Sequence, residues 1–213
     1  MANMKRFPSC VALLADQVGS RRTDRDATHP KLLDALDMVN SRVAAIDDLR
    51  VTVGDELQGV YGSLGEALAA SHLLRAELYG AVELRFGLGG GEVAVVDRER
   101  GIQDGSAWWN ARAAVEAVEQ LAQDPGFSGT RTGIVDDREV ANPLTSATVR
   151  LVDAQLARLR SGARESLYSL MLGLDNRTAA ERAGISPSAN SQRINNNDLR
   201  VLTDAIEALS RLP

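Results

Sequence analysis

The hydrophobic period of this chain changes once, and that change limits the folds open to it. Up to about residue 143, short apolar runs broken by Gly-Asp and Gly-Gly alternate with stretches at helical spacing. Beyond that point the spacing is helical throughout. No internal repeat and no low-complexity tract is present. The pattern reads as an α+β domain over 1–142 followed by an all-α domain over 143–213. Charge divides at nearly the same place. Residues 1–143 hold 15 Lys+Arg and 22 Asp+Glu, whereas residues 144–213 hold 9 and 7. The acidity behind the net charge of −5 therefore belongs to the first part, and the last third is mildly basic. Aromatic residues are only 4%, so Leu, Val and Ala must fill the core.

In the first part, Val11 to Ala15 reads as a buried strand that stops at Asp16. From Pro30, the residues Leu32, Leu33, Leu36, Val39, Val43 and Ile46 recur at helical spacing. Leu49 to Val53 and Leu57 to Tyr61 form a hairpin with its tip at Gly54-Asp55. A helix follows from Leu64 to Leu78, with Ser63 as N-cap. Val82 to Leu88 and Glu92 to Val96 read as a second hairpin turning on Gly89-Gly90-Gly91. Ser106 to Leu121 is a helix, and Thr132 to Val135 a short strand. This order predicts a ferredoxin-like palm with its helices on one face of a mainly antiparallel sheet. In the second part, Val149, Val152, Leu156 and Leu159 mark one helix, and Leu167, Leu170 and Met171 continue the pattern. Two short helices then flank Gly184-Ile185-Ser186, and Leu199, Leu202, Ile206 and Leu209 line a last one.

Several function classes fall away. The single cysteine, Cys10, has no internal disulfide partner and reads as a buried, inert strand residue. No apolar run approaches the roughly 18–20 residues of a membrane span. Met1 to Pro8 lacks the apolar stretch of a signal peptide. The expected location is the cytoplasm, without membrane contact. His29 and His72 have no ligand-spaced partner, so they read as surface or capping residues rather than a zinc site.

Two constellations carry chemistry. Asp16 ends the first strand and Asp55 sits at the tip of the next hairpin. In a palm sheet those strands are neighbours, and a facing carboxylate pair suits a hard divalent cation that also holds phosphate oxygens. The backbone N–H groups of Gln17, Val18, Gly19 and Ser20 would cradle the phosphates. Asp at a strand end and Gly-Asp at a hairpin tip are equally ordinary turn chemistry. Trp108 and Trp109 are adjacent on a helix, so one of them should point outward.

Leu14 to Ser20, Val53 to Gln58, Leu84 to Val93 and Gly105 to Arg112 occur in an order that resembles the catalytic domain of class III nucleotidyl cyclases. More closely, the whole chain resembles the SatD family, bacterial proteins that join such a palm to a helix-turn-helix. The resemblance implies metal ions, Mg²⁺ or Mn²⁺, at Asp16 and Asp55, and a nucleotide ligand. The departures are specific. Val51 stands where cyclases carry the purine-reading lysine, while Trp109 and Ala113 stand where they carry an Asn and an Arg. Asn110 and Arg112 lie one residue off in opposite directions, about 100° of helix rotation each. The cyclase histidine is replaced within the triple glycine. The resemblance therefore implies a palm that does not cyclise. Arg85 and Arg112 remain as substitute cations if it does process nucleotides, and Arg85 also joins the nucleotide-binding set.

The second constellation spans Thr178 to Ile194 and resembles the helix-turn-helix of bacterial regulators. Ala180 lies at the helix crossing, Gly184 permits the turn and Ile185 plugs the gap. Ser186 caps a new helix opened by Pro187, with Ala189 and Ile194 inward. Ser186, Ser188, Ser191, Gln192, Arg193 and Asn195 are the expected DNA-facing residues. Asn190 occupies a normally apolar sealing position, so it needs a partner or points toward DNA.

The sequence thus predicts a DNA-binding transcriptional regulator whose palm senses a nucleotide or supports a homodimer. The apolar stripes at Val149–Leu159 and Leu199–Leu209 would supply the dimer contact. The competing readings are a metal-dependent nucleotidyl cyclase or nucleotide-processing enzyme, and a pure interaction module.

Overall fold

Cys10 to Ala15 are buried without a break, as befits a central strand covered on both faces. In the computed structural model, which describes residues 5–19, 25–52, 54, 56–97 and 100–213, this strand is β1 (Arg6–Gln17). It is followed by α1 (Arg25–Arg42), β2 (Asp47–Val51), β3 (Leu57–Tyr61), α2 (Leu64–Glu77), β4 (Leu84–Asp97), β5 (Ile102–Asp104), α3 (Ser106–Leu121) and β6 (Thr132–Asp136). The helices α4 (Pro143–Arg158), α5 (Ser161–Met171), α6 (Asn176–Arg182), α7 (Pro187–Asn196) and α8 (Leu199–Leu209) complete the mixed α+β chain. The sheet order is β2-β3-β1-β4-β5, antiparallel along that path, with β6 parallel to β4. The β2-β3-β1-β4 core is the split βαβ arrangement expected from the element order.

The glycine-rich stretch does not turn. Leu84 to Asp97 is one 14-residue strand, and none of Gly87, Gly89, Gly90 or Gly91 takes a positive φ. The expected hairpin on Gly89-Gly90-Gly91 is absent because glycine here serves close approach rather than backbone freedom. Gly87, Gly89 and Gly91 lie opposite Leu14, Ala12 and Cys10, on one face of the sheet. A Cβ added at Gly89 would sit 2.1 Å from the Ala107 carbonyl oxygen of α3, and one at Gly87 2.2 Å from that of Ala111. Helix α3 therefore rests almost backbone to backbone on β4.

That packing overturns a second expectation. The helices do not share one face: Val11, Leu13 and Ala15 of β1 face α1 and α2, while Cys10, Ala12 and Leu14 pack with Ala107 and Ala111 of α3. Burial and the Gly91 carbonyl it faces leave Cys10 inert, with its thiol pushed up to about 11 by desolvation. Helix α1 starts at Arg25, ahead of Pro30, and ends at Arg42, leaving Ile46 outside it.

Helix α2 starts where expected. Ser63 Oγ accepts from the Glu66 N–H at 3.1 Å, and Glu66 Oε2 accepts from the Ser63 N–H, also at 3.1 Å. This reciprocal capping box fixes the first turn. The helix is buried on both sides, because α5 and α8 cover the face turned away from the sheet. One apolar cluster runs from β1 through α2 into Val149, Val152 and Leu156 of α4, Leu167 of α5 and Leu202 and Ile206 of α8. The stripes assigned above to a dimer interface are thus consumed inside the chain.

His72 is likewise not a surface or capping residue. It lies on the outer face of α2, 3% exposed. Burial first, and the Arg75 charge second, lower its pKa from 6.5 to about 3. The folded state thus keeps the ring neutral where the unfolded chain protonates it, so the unfolded state binds more protons between these values. Stability from this group is present in full above pH 6.5 and is lost as pH falls toward 3. His72→Leu is expected to flatten that acid limb. Thermal midpoints at matched pH values check it, and an unchanged slope would refute the assignment.

Candidate functional site

Asp16 is the penultimate residue of β1, on the α3 side of the sheet and in register with Arg85 of β4. Arg85 Nη1 lies 3.5 Å from Asp16 Oδ2 and 3.0 Å from Glu119 Oε1 of α3. The expected partner carboxylate, Asp55, and the loop residue Ser20 lie outside the described residues. Gly54 is at the hairpin tip with φ 74°, and Glu56 just beyond it pairs with Arg112 of α3 at 2.5 Å. No group of three or more His, Cys, Asp or Glu side chains could hold a metal ion among the described residues. At Asp16 the positive charge comes from Arg85. The expected Mg²⁺ or Mn²⁺ pair needs Asp55, which is not among the described residues.

The phosphate cradle is also partly occupied. The Val18 N–H donates to the Glu83 carbonyl at 2.9 Å, which closes β1 onto β4 and removes one of the expected donors. Gln17 is the last residue of β1, and Gly19 turns the chain with φ 72°.

Next to these residues an open cleft of roughly 510 Å³ lies along α3, walled by Leu14, Gln58, Gln103, Trp108, Trp109 and Arg112, among others. As the adjacent pair required, the tryptophans diverge. Trp108 packs against the α3-side core, whereas Trp109 is 65% exposed and donates Nε1–H to Asp104 Oδ1 at 3.1 Å. The Asn110 amide is spoken for: Nδ2 donates to the Gly90 carbonyl at 2.9 Å and to Asp137 Oδ2 at 2.8 Å.

The second candidate site is the α6–α7 pair. Ala180 is fully buried at the crossing, and Gly184 takes φ 63° between the helices. Ser186 Oγ accepts from the Ala189 N–H at 3.1 Å, so its hydroxyl caps α7. Two expected DNA-facing residues point elsewhere. Asn190 is fully buried, accepts from Ser166 Oγ at 2.6 Å and donates to Asn176 Oδ1 at 3.0 Å. Its amide belongs to a polar seal between α5, α6 and α7, which answers the partner question raised by the sequence. Arg193 lies across the start of α5, with Nη1 3.4 Å from the Gly162 carbonyl and 3.8 Å from Glu165 Oε2. Ser188, Gln192 and Asn195 remain exposed, with Ser191 half-buried beside them. Their spacing places 188, 192 and 195 on one helix face.

The sequence reading passed over Asp153. This carboxylate is fully buried on α4 between Val149 and Leu156. An acid at i+4 from Val149, on an apolar face, was the available signal. Its partners, Arg75 of α2 and the start of β6, are far away in sequence and left none.

A family model described as the SatD family matches residues 10–209. The chain belongs to the SatD family. No curated protein matches it. Among solved structures, the SatD-family chain is similar to the monomeric guanylyl cyclase domain of the RhoGC fusion protein from Blastocladiella emersonii. Identity is 20% over 54% of this chain and 78% of that one, with a TM-score of 0.42. A bacterial light-regulated adenylyl cyclase is 11% identical over 62% of this chain and 44% of that one, with a TM-score of 0.46. A regulator of polyketide synthase expression from Bifidobacterium adolescentis is 12% identical over 96% and 85%, with a TM-score of 0.29. At these scores the likenesses carry no argument for the SatD-family chain. None of its described helices is long and apolar enough to cross a membrane.

Proposed function

We propose that this SatD-family chain is a DNA-binding regulator in which α6 and α7 act as a helix-turn-helix and α7 enters the major groove. The observation that carries the reading is the exposed row Ser188, Gln192 and Asn195 on a helix whose rear is fixed by buried Asn190 and Ile194. Among the described residues those three side chains have no hydrogen-bond partner within the chain. Gln and Asn amides match the edge of adenine bidentately, and Ser serves phosphate or base edges. The face carries few cations, so one copy would bind weakly and two copies on paired half-sites would be needed.

The sheet-bearing part then serves as sensor. The cleft beside α3 is of a size to take a mononucleotide, with the exposed Trp109 ring available for stacking a base. The nucleotide-processing reading would draw on Arg85, which pairs with Asp16 and Glu119, and on Arg112, which pairs with Glu56.

Full-length protein titrated onto DNA from upstream of its own coding region should bind with affinity that falls steeply with salt. Gln192→Ala should weaken binding by about 1–3 kcal/mol, roughly 5- to 150-fold, while leaving the thermal midpoint unchanged. Arg193→Ala should act through α5 packing and lower the midpoint too. Absence of salt-dependent binding, or an unaffected Gln192→Ala variant, would sink the proposal.

A further inference from the structure

Trp108 and Trp109 are the only tryptophans in the chain, and both line the open cleft beside α3. Trp109, Arg112 and Glu116 follow one another along one face of that helix, about 10 Å from first to last. Leu14 and Gln58, paired across β1 and β3, face the cleft from the sheet, and Gln103 of β5 completes the lining.

Most hydrogen-bond donors of this cleft are already used. Gln58 Nε2 donates to Glu56 Oε1 at 2.9 Å, Gln103 Nε2 to Asp47 Oδ2 at 2.7 Å and Trp109 Nε1 to Asp104 Oδ1 at 3.1 Å. The carboxylate partners also fix which end of each glutamine amide is oxygen. Gln103 Oε1 is buried with no partner among the described residues, and so is the Trp108 indole N–H. An unpaired acceptor and an unpaired donor thus line the same cleft. A ligand that offers a donor beside an acceptor on one edge recovers the cost of both. Nucleobases have such an edge, and the exposed face of Trp109, with its ring held by Asp104, offers them a stacking plane.

Charge limits the rest of the ligand. Arg112 is the one cation that lines the cleft among the described residues, and Glu56 neutralises it. The ion pairs of α3 use Arg112 and Glu119 and leave Glu116 without a cation among the described residues. A free carboxylate suits hydroxyl and N–H donors and repels a phosphate.

We infer that this cleft binds a nucleoside without a phosphate, its base stacked on Trp109 with the polar edge toward Gln103 and Trp108, and its sugar hydroxyls donating to Glu116. The inference rests on the sensor reading of the cleft and narrows it: a mononucleotide fits by size, but its phosphate meets a carboxylate in place of a free cation.

Adenosine, guanosine, cytidine and uridine, each beside its 5′-monophosphate, probe the full chain without added metal, by calorimetry and tryptophan fluorescence. At least one nucleoside should bind saturably and change the emission, which arises from the cleft alone. Its monophosphate should bind at least about tenfold more weakly. Trp109→Ala should weaken the nucleoside by about tenfold or more, with the thermal midpoint confirming a folded chain. Glu116→Gln should narrow the gap between nucleoside and monophosphate by about threefold or more. A monophosphate that binds as tightly as its nucleoside would overturn the inference and leave the sensor reading standing. Undiminished binding to Trp109→Ala, or a gap that Glu116→Gln leaves unchanged, would overturn it in the same way. Absence of binding by every nucleoside and monophosphate would remove both readings.

Discussion

Gly89→Ala is expected to cost about 3 kcal/mol or more, or to prevent folding, although it adds a single methyl group. That methyl would lie 2.1 Å from the Ala107 carbonyl oxygen and 2.2 Å from the Ala111 nitrogen. Both are backbone atoms of α3, so no rotamer change relieves the clash and the helix itself must lift. It cannot lift at one point alone. Gly87 and Gly91 hold the same spacing along β4, and Gly133 of β6 faces the Ala114 carbonyl at 2.4 Å from its would-be Cβ. Lifting α3 would open the Cys10, Ala12, Leu14 and Val93 contacts beneath it. Gly173→Ala is the comparison. It has nothing within 4 Å of the new methyl and only a positive φ of 71° to oppose it, so roughly 1–2 kcal/mol is expected. Urea unfolding of the two variants measures the difference. A Gly89→Ala loss no larger than that of Gly173→Ala would mean that α3 does not rest on β4 in this way.

Asp153→Ala should be almost as damaging, by about 3–5 kcal/mol, because it strands a buried cation. Asp153 Oδ1 pairs with Arg75 of α2, while Oδ2 accepts from the Arg131 N–H at 2.7 Å and the Thr132 N–H at 2.8 Å. Burial pushes this carboxyl upward, and Arg75 and the two N–H groups oppose that shift. Alanine would leave the Arg75 charge and two backbone donors without their acceptor. Asp153→Asn keeps an acceptor but loses the charge, and should fall between. Replacing both partners, as Arg75→Met with Asp153→Leu, should recover part of the loss, since the isolated charge is the larger penalty. A double variant no more stable than Asp153→Ala would place the cost in the β6 backbone donors instead.

Features written in local sequence were legible. The Ser63 cap, the Ser106–Leu121 helix and the Gly184-Ile185-Ser186 turn all depend on residues within a few positions of each other. What depends on distant partners was not. Triple glycine reads as a turn until α3 is laid on it, and Asn190 reads as a groove residue until Ser166, 24 positions earlier, is seen to donate to it. Arg193 was drawn away from the outward row by the Gly162 carbonyl of α5. Of the expected carboxylate pair only Asp16 is described, and it faces Arg85, a strand neighbour that spacing along the chain cannot reveal.

The double coverage of α2 also sets a timetable. Its inner face can dock on β1, β3 and β4 early in synthesis, but its outer face waits for α5 and α8, made about a hundred residues later. Even its first turn is finished late, since the N–H groups of Leu64 and Gly65 donate to the carbonyls of Pro213 and Leu212, at 3.1 Å each. During translation an apolar helix face therefore stays uncovered until α5 and α8 have been made, a window in which a chaperone or aggregation competes for the nascent chain.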